Sequence, residues 1–174
     1  MAQTYTVACV GIAPAANKSM IAIYNGAGSG RIVRLYRAWM LNNGVTVVTG
    51  VVSIMNLVRL STGSGGNAIT PTKHDSTNEN FPAQIVVGNN MTVTVSEIFR
   101  RWIWSYDEAS AAVAATLDEF ECVPPFTLIW DVGYGETNIE PFVCREGYGV
   151  SIQNVTTTVV GSVDLFFEVT LAAS

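Results

Sequence analysis

Between Ser162 and Leu171 the chain alternates with a period of two. Val163, Leu165, Phe167, Val169 and Leu171 fall on one side, and Ser162, Asp164, Glu168 and Thr170 on the other. Only an extended strand separates side chains in this way, so the first set is the inward face of a sheet and the second faces water. Phe166 alone breaks the pattern, as an aromatic on the polar side. A strand this regular needs a second apolar layer over it, because a bare sheet face would leave the whole row in water. Phe167 is therefore expected in a core, and Asp164 is expected to be a solvated side chain with little at stake.

The same alternation recurs upstream. Thr4–Ile12 puts Tyr5, Val7 and Cys9 on one side, and Ser19–Asn25 sets Ile21 and Ile23 against Met20 and Tyr24. Arg31–Leu41 is apolar but carries Arg31, Arg34 and Arg37, whose stems can lie along a sheet while their guanidinium groups reach water or a carboxylate. Asn42-Asn43-Gly44 is a turn signal leading into Val45–Val48 and Val51–Ser61, where Val52, Ile54, Val58 and Leu60 share a face. Residues 31–61 are thus expected to form a hairpin or meander. Ala83–Val87, Met91–Glu97, Ile98–Ser105, Phe126–Val132, Glu140–Glu146 and Tyr148–Asn154 supply further strands.

Two stretches read differently. Residues 62–82 are rich in Gly, Ser, Thr, Asn and Pro and are expected to be one long polar loop. Asp107–Phe120 is Ala-rich, pairs Val113 with Leu117 at helical spacing and runs toward Pro124-Pro125, so it is expected to be one short helix. With no alternation of strands and long helices, a parallel α/β fold is excluded. Roughly nine to eleven short strands at such spacing predict a single all-β domain over residues 1–174, an antiparallel two-sheet β-sandwich of jelly-roll-like winding.

Composition narrows the function. Charged residues are only 13% and the net charge is −5, which argues against a grip on nucleic acid through its phosphates. Mean hydropathy is +0.32, more apolar than a lone sandwich requires, so some of that surface is expected between subunits of a homo-oligomer, a dimer or trimer. The charges are unevenly spread: residues 1–78 hold six Lys/Arg and one acid, whereas residues 79–174 hold three Arg and thirteen acids. That asymmetry reads either as scattered solvated faces or as complementary patches that help copies dock. No stretch reads as a membrane span, since the longest charge-free window is broken by turn residues. Met1-Ala-Gln-Thr has no basic lead-in, so no signal peptide is expected and synthesis in the cytoplasm follows.

Catalytic signals are weak. Gly26-Ala-Gly-Ser-Gly30 lies between two extended runs and is not followed by Lys-Ser/Thr, so it reads as a turn and not as a phosphate-binding loop. His74 is the only histidine, beside Asp75. A triad with Cys122 or Cys144 has no nucleophile-elbow context to support it. Cys9 sits in an apolar run as a small core residue, and the three cysteines lack metal-ligand spacing, so neither metal nor cofactor is expected. Phe99, Trp102 and Trp104 cluster beside Arg100 and Arg101, a mixture that reads as core plus rim more readily than as a stacking platform.

Two segments carry a resemblance. Ile23-Tyr-Asn-Gly-Ala-Gly-Ser-Gly30 followed by Arg31-Ile-Val-Arg-Leu-Tyr-Arg-Ala-Trp39 resembles an early stretch of small tailed-bacteriophage virion proteins. Glu140-Pro-Phe-Val-Cys-Arg-Glu-Gly-Tyr-Gly149, with Val150–Asn154 and the final strand, is similar to the close of the same proteins, which include capsid decoration, or cement, proteins. The resemblance covers about a third of the chain. It implies a non-enzymatic β-sandwich on the capsid exterior of a virion, bound to the major capsid protein and to its own copies. A tail or baseplate component, or a jelly-roll module for carbohydrate or a receptor, is the alternative. The interface candidates are Trp102, Trp104, Tyr106 and Phe166; for a glycan, Trp102, Trp104, Tyr106 or Tyr134 would be the platform.

Overall fold

The computed structural model describes residues 3–43, 51–106, 127–133, 140–156 and 161–174. Twelve strands follow in order: β1 (Gln3–Ile12), β2 (Ser19–Asn25), β3 (Arg31–Asn42), β4 (Val51–Ser64), β5 (Asn67–Ala68), β6 (Thr72–Lys73), β7 (Ile85–Asn89), β8 (Thr92–Tyr106), β9 (Thr127–Asp131), β10 (Phe142–Cys144), β11 (Tyr148–Asn154) and β12 (Val163–Ala173). Among the described residues there is no helix. The short helix expected over Asp107–Phe120 falls outside them. Two six-stranded antiparallel sheets result. The first runs β10-β3-β12-β1-β6, with β9 also on β3; the second runs β5-β7-β2-β11-β4-β8. The last two strands nest between the early ones, β12 between β1 and β3, and β11 between β2 and β4. That nesting of chain ends across two facing sheets is the jelly-roll winding expected of the sequence.

The alternation of β12 explains the first sheet. Its inward residues stand beside inward residues on both neighbours: Phe167 opposite Val7 and Ala38, Leu165 opposite Cys9 and Met40, and Val169 opposite Tyr5 and Leu35. All are buried, and Phe167 is wholly excluded from water. From the second sheet Ile21, Ile23, Met55, Leu57, Val150 and Ile152 complete this core. Phe166, the break in the pattern, lies directly across from Trp39, and the two rings stack at 5.6 Å and 20°. An outer-face aromatic pair of this kind adds about 0.5–1.5 kcal/mol beyond its burial.

Asp164 corrects the expectation of a solvated residue. Its Oδ1 accepts hydrogen bonds from the Gly11 N–H (2.8 Å) and from Asn43 Nδ2 (2.7 Å). The first sits where the β1–β12 register slips between Cys9 and Ile12, with Gly11 at a φ of +67°. The carboxylate therefore pins a bulge whose extra amide has left the ladder.

The hairpin or meander expected over 31–61 is also corrected, because β3 and β4 belong to different sheets; the strand expected over Val45–Val48 lies outside the described residues. Turn residues mark a reversal of the chain but not which sheet receives the next strand. Both edges of each strand are already taken, β3 by β12 and by β9 with β10, β4 by β11 and β8. Val52, Ile54, Val58 and Leu60 do share a face, but it is the outer one. Val58 and Leu60 join Ala22 and Met91 in a second small cluster, with Tyr24, Val86 and Val93 packed against it. The runs 91–97 and 98–105 fuse into the single strand β8, because register slips against β4 absorb the change of parity between them.

The long polar loop is corrected in part. Residues 62–64 continue β4, and two short strands extend both sheets, β5 beside β7 and β6 beside β1. The Tyr5 hydroxyl donates to the Glu79 carbonyl (2.7 Å), and Phe81 packs edge-on against Tyr5 at 4.8 Å. This segment thus wraps one margin of the sandwich. Strands of two residues are too short to show a period.

Truncating the core and truncating the bulge latch should separate by size. Phe167→Ala is expected to cost about 3–5 kcal/mol in chemical denaturation, and Asp164→Ala about 1 kcal/mol. Equal midpoints for the two variants would contradict the facing assignment.

Candidate functional site

The margin opposite the wrapped one is where the surface chemistry gathers. There the first sheet ends in β9 and β10 and the second in β8. Arginines bridge the two sheets at this margin. Arg59, on the inward side of β4, donates from Nη1 to the Val143 carbonyl (3.0 Å) and from Nε to Glu97 (2.9 Å). Its guanidinium lies 4.7 Å from the Phe142 ring centre, 5.0 Å from Phe99 and 5.9 Å from Tyr148. Arg100 repeats the arrangement, donating to the Ile129 carbonyl (2.8 Å) while lying 5.4 Å over Trp130. A planar cation can stack on rings and still serve an orphan edge carbonyl, which is why arginine and not lysine suits this place.

Beside Arg59 opens a cleft of about 440 Å³ whose lining includes Arg34, Arg145, Tyr148 and Glu140. Arg34 stands on the outer face of β3, in register with Val143 of β10, and Arg145 and Tyr148 flank the tight turn that follows. Along the same margin β8 has β4 as its only strand partner among the described residues. Its outer side is apolar at intervals. Ile98 is 57% exposed and Ile103 71%, and Val52 on β4, diagonal to Ile103, is 59% exposed.

The expected interface residues separate. Trp104 is only 3% exposed and belongs to the core, so its indole is not free surface. Trp102 is half-buried against the same core. Phe166 is engaged by Trp39 on the outer face of the first sheet, away from β8. For Tyr106 the strand position alone is described, opposite Val51, and Tyr134 lies outside the described residues. Alternation puts Ile98 and Ile103 on opposite sides and does not say which side faces in; the register slip between Arg100 and Ile98 brings both to the outer side, which the sequence does not signal.

The charge asymmetry resolves within the fold. Arg31 pairs with Glu79, Arg37 with Asp131 and Glu168, and Arg59 with Glu97. Each pair joins a cation from residues 1–78 to an acid from residues 79–174. Gly26–Gly30 does bind an anion, but it is the chain's own. Glu146 accepts the Gly30 N–H (2.7 Å) and the Gly28 N–H (3.1 Å), which hold its carboxyl below the usual range. Asn25 Nδ2 ties the same corner by donating to the carbonyls of Arg31 (2.7 Å) and Cys144 (3.1 Å). Residues 23–31 and 144–146 therefore meet in one structural corner.

Among the described residues His74 and Asp75 do not meet Cys144. His74 Nε2 is 2.8 Å from the Thr6 hydroxyl, and Asp75 accepts from the N–H and hydroxyl of Thr77. Cys144 lies on β10, three strands from β1 in the sheet and so roughly 14 Å away at ordinary strand spacing. Burial pushes its thiol up to about 12. Cys9 is also buried and its thiol raised. Cys122 lies outside the described residues. Comparison with known protein families, curated proteins and solved structures finds no match.

Two outcomes follow from this chemistry. A carboxyl held below its ordinary range stabilises the fold above that range and loses its contribution as pH falls through it. The melting-temperature gap between the parent and Glu146→Ala should therefore be full near pH 7 and narrow below about pH 4; a gap constant across that span would contradict the latch. Cys9 and Cys144 should resist iodoacetamide in the folded chain and react in denaturant, as read by peptide mass spectrometry. Rapid native labelling of either would show that it is not buried as described.

Proposed function

We propose that this chain is a non-enzymatic virion structural protein of the decoration, or cement, type, which binds the outside of a phage capsid and stabilises it through the major capsid protein and its own copies. The observation that carries this reading is β8. It is a 15-residue strand at the end of a sheet, with apolar side chains standing in water beside an edge that has no strand partner among the described residues. Sheet edges are templates for another chain, and monomeric proteins ordinarily blunt them with charge, bulges or a cover. The bulges of β8 fall between Thr92 and Arg100, whereas Arg101–Tyr106 pairs regularly with β4 and presents Ile103 next to Ile54. A role in assembly gives that surface a use, and interfaces of about 1,200 Å² or more are built from such apolar and aromatic groups. The resemblance of residues 23–39 and 140–154 to tailed-phage virion proteins supplies the kind of assembly. Assembly into a dimer or trimer on the particle belongs to the same reading.

Particles lacking the protein should burst at lower temperature and in low salt than particles carrying it. Ile103→Lys should reduce particle binding at least about tenfold while leaving the melting temperature of the free protein nearly unchanged, as for an exposed site. Null particles with normal resistance to both stresses would overturn the proposal.

A further inference from the structure

We infer that the cleft lined by Arg34, Arg59 and Arg145 binds an acidic saccharide, a pyranose ring that bears a carboxylate. Three guanidinium groups line one concavity in a chain of net charge −5. Arg59 is spoken for by Glu97 and the Val143 carbonyl. Among the described residues Arg34 and Arg145 have no ion-pair partner, although Glu140 lines the same cleft. Arg31, Arg37, Arg59 and Arg100 are held by acids or carbonyls of the chain, whereas Arg34 and Arg145 share one concavity without such a partner among the described residues and are arranged there for a charge from outside. The planar fork of arginine matches the two oxygens of a carboxylate.

The remaining walls choose among anions. Tyr148 is 46% exposed and Pro141 lines the cleft beside it, so a flat apolar surface adjoins the cations. A sugar ring presents an apolar C–H face to such a surface next to its charged group. Inorganic phosphate has no apolar face to place there. An extended acidic peptide would dock by adding a strand to β10, but the β10 carbonyl of Val143 already accepts from Arg59. The volume, about 440 Å³, lies within the roughly 300–1,000 Å³ of small-ligand sites. This inference is independent of the capsid reading, since a chain anchored by β8 could present the cleft as well as a free one.

The test is calorimetric titration of the full chain with trigalacturonate. Its fully methyl-esterified form, a hexaglutamate peptide and inorganic phosphate serve as separate arms. Binding of trigalacturonate alone is expected. Arg34→Gln with Arg145→Gln should weaken it at least about tenfold without lowering the melting temperature, because neither side chain holds the fold, and Tyr148→Ala should weaken it by a similar factor. Absence of binding, equal binding of the ester, undiminished binding by the double variant, or full displacement by hexaglutamate or phosphate would each overturn it.

Discussion

One strand carries two demands at once in this fold. The inward row of β12 must leave water, and both of its edges must find hydrogen-bond partners. Placing β12 between β1 and β3 meets both, since neighbouring strands then offer apolar residues at matching height along each edge. β11 repeats the solution in the facing sheet, between β2 and β4. Once the two closing strands are seated centrally, the remaining strands are pushed outward. The margins of the sandwich then become the places where something other than a strand must finish the structure.

The two margins are finished by different means. Residues 62–82 wrap the first with short strands and with Phe81 against Tyr5. The second is crossed by arginine side chains that lie on aromatic rings and reach edge carbonyls. Salt bridges at exposed positions contribute little on their own, a median of about 0–1 kcal/mol. The contribution of Arg59 is larger in kind, because it satisfies the Val143 carbonyl and covers Phe99 and Phe142 together. The same arrangement leaves apolar β8 residues in water and gathers Arg34 and Arg145 in one cleft with no acid paired to either among the described residues. Those two features support the readings of assembly and of ligand binding.

The layered β architecture was legible because burial on one face writes a period of two into Thr4–Ile12 and Ser162–Leu171. The connection from β3 to β4 was not legible. Asn42-Asn43-Gly44 encodes a reversal, while the choice between pairing alongside and packing across depends on β11 and β12, more than a hundred residues later. Asp164 was misread for a related reason, since the bulge it pins is created by Gly11 at the other end of the chain. Of the surface features, the arginines of β3 were visible as cations on a strand, but their fates diverge through partners distant in sequence. Arg31 and Arg37 meet acids and Arg34 does not. Alternation within β8 is interrupted by register slips against β4 and is silent about which side faces inward, so neither the burial of Trp104 nor the exposure of Ile103 could be read from it.

Residue-resolved hydrogen exchange on the protein, free and then bound to particles, tests the account most directly, because it reads pairing and edge exposure together. In the free chain the amides of β11 and β12 should exchange slowest, and those of β8 that point away from β4 should exchange fast. On the particle the β8 amides should become protected while β11 and β12 stay as they were. A β8 as slow in the free chain as β12, or one that gains no protection on the particle, would contradict a sandwich that assembles through that edge.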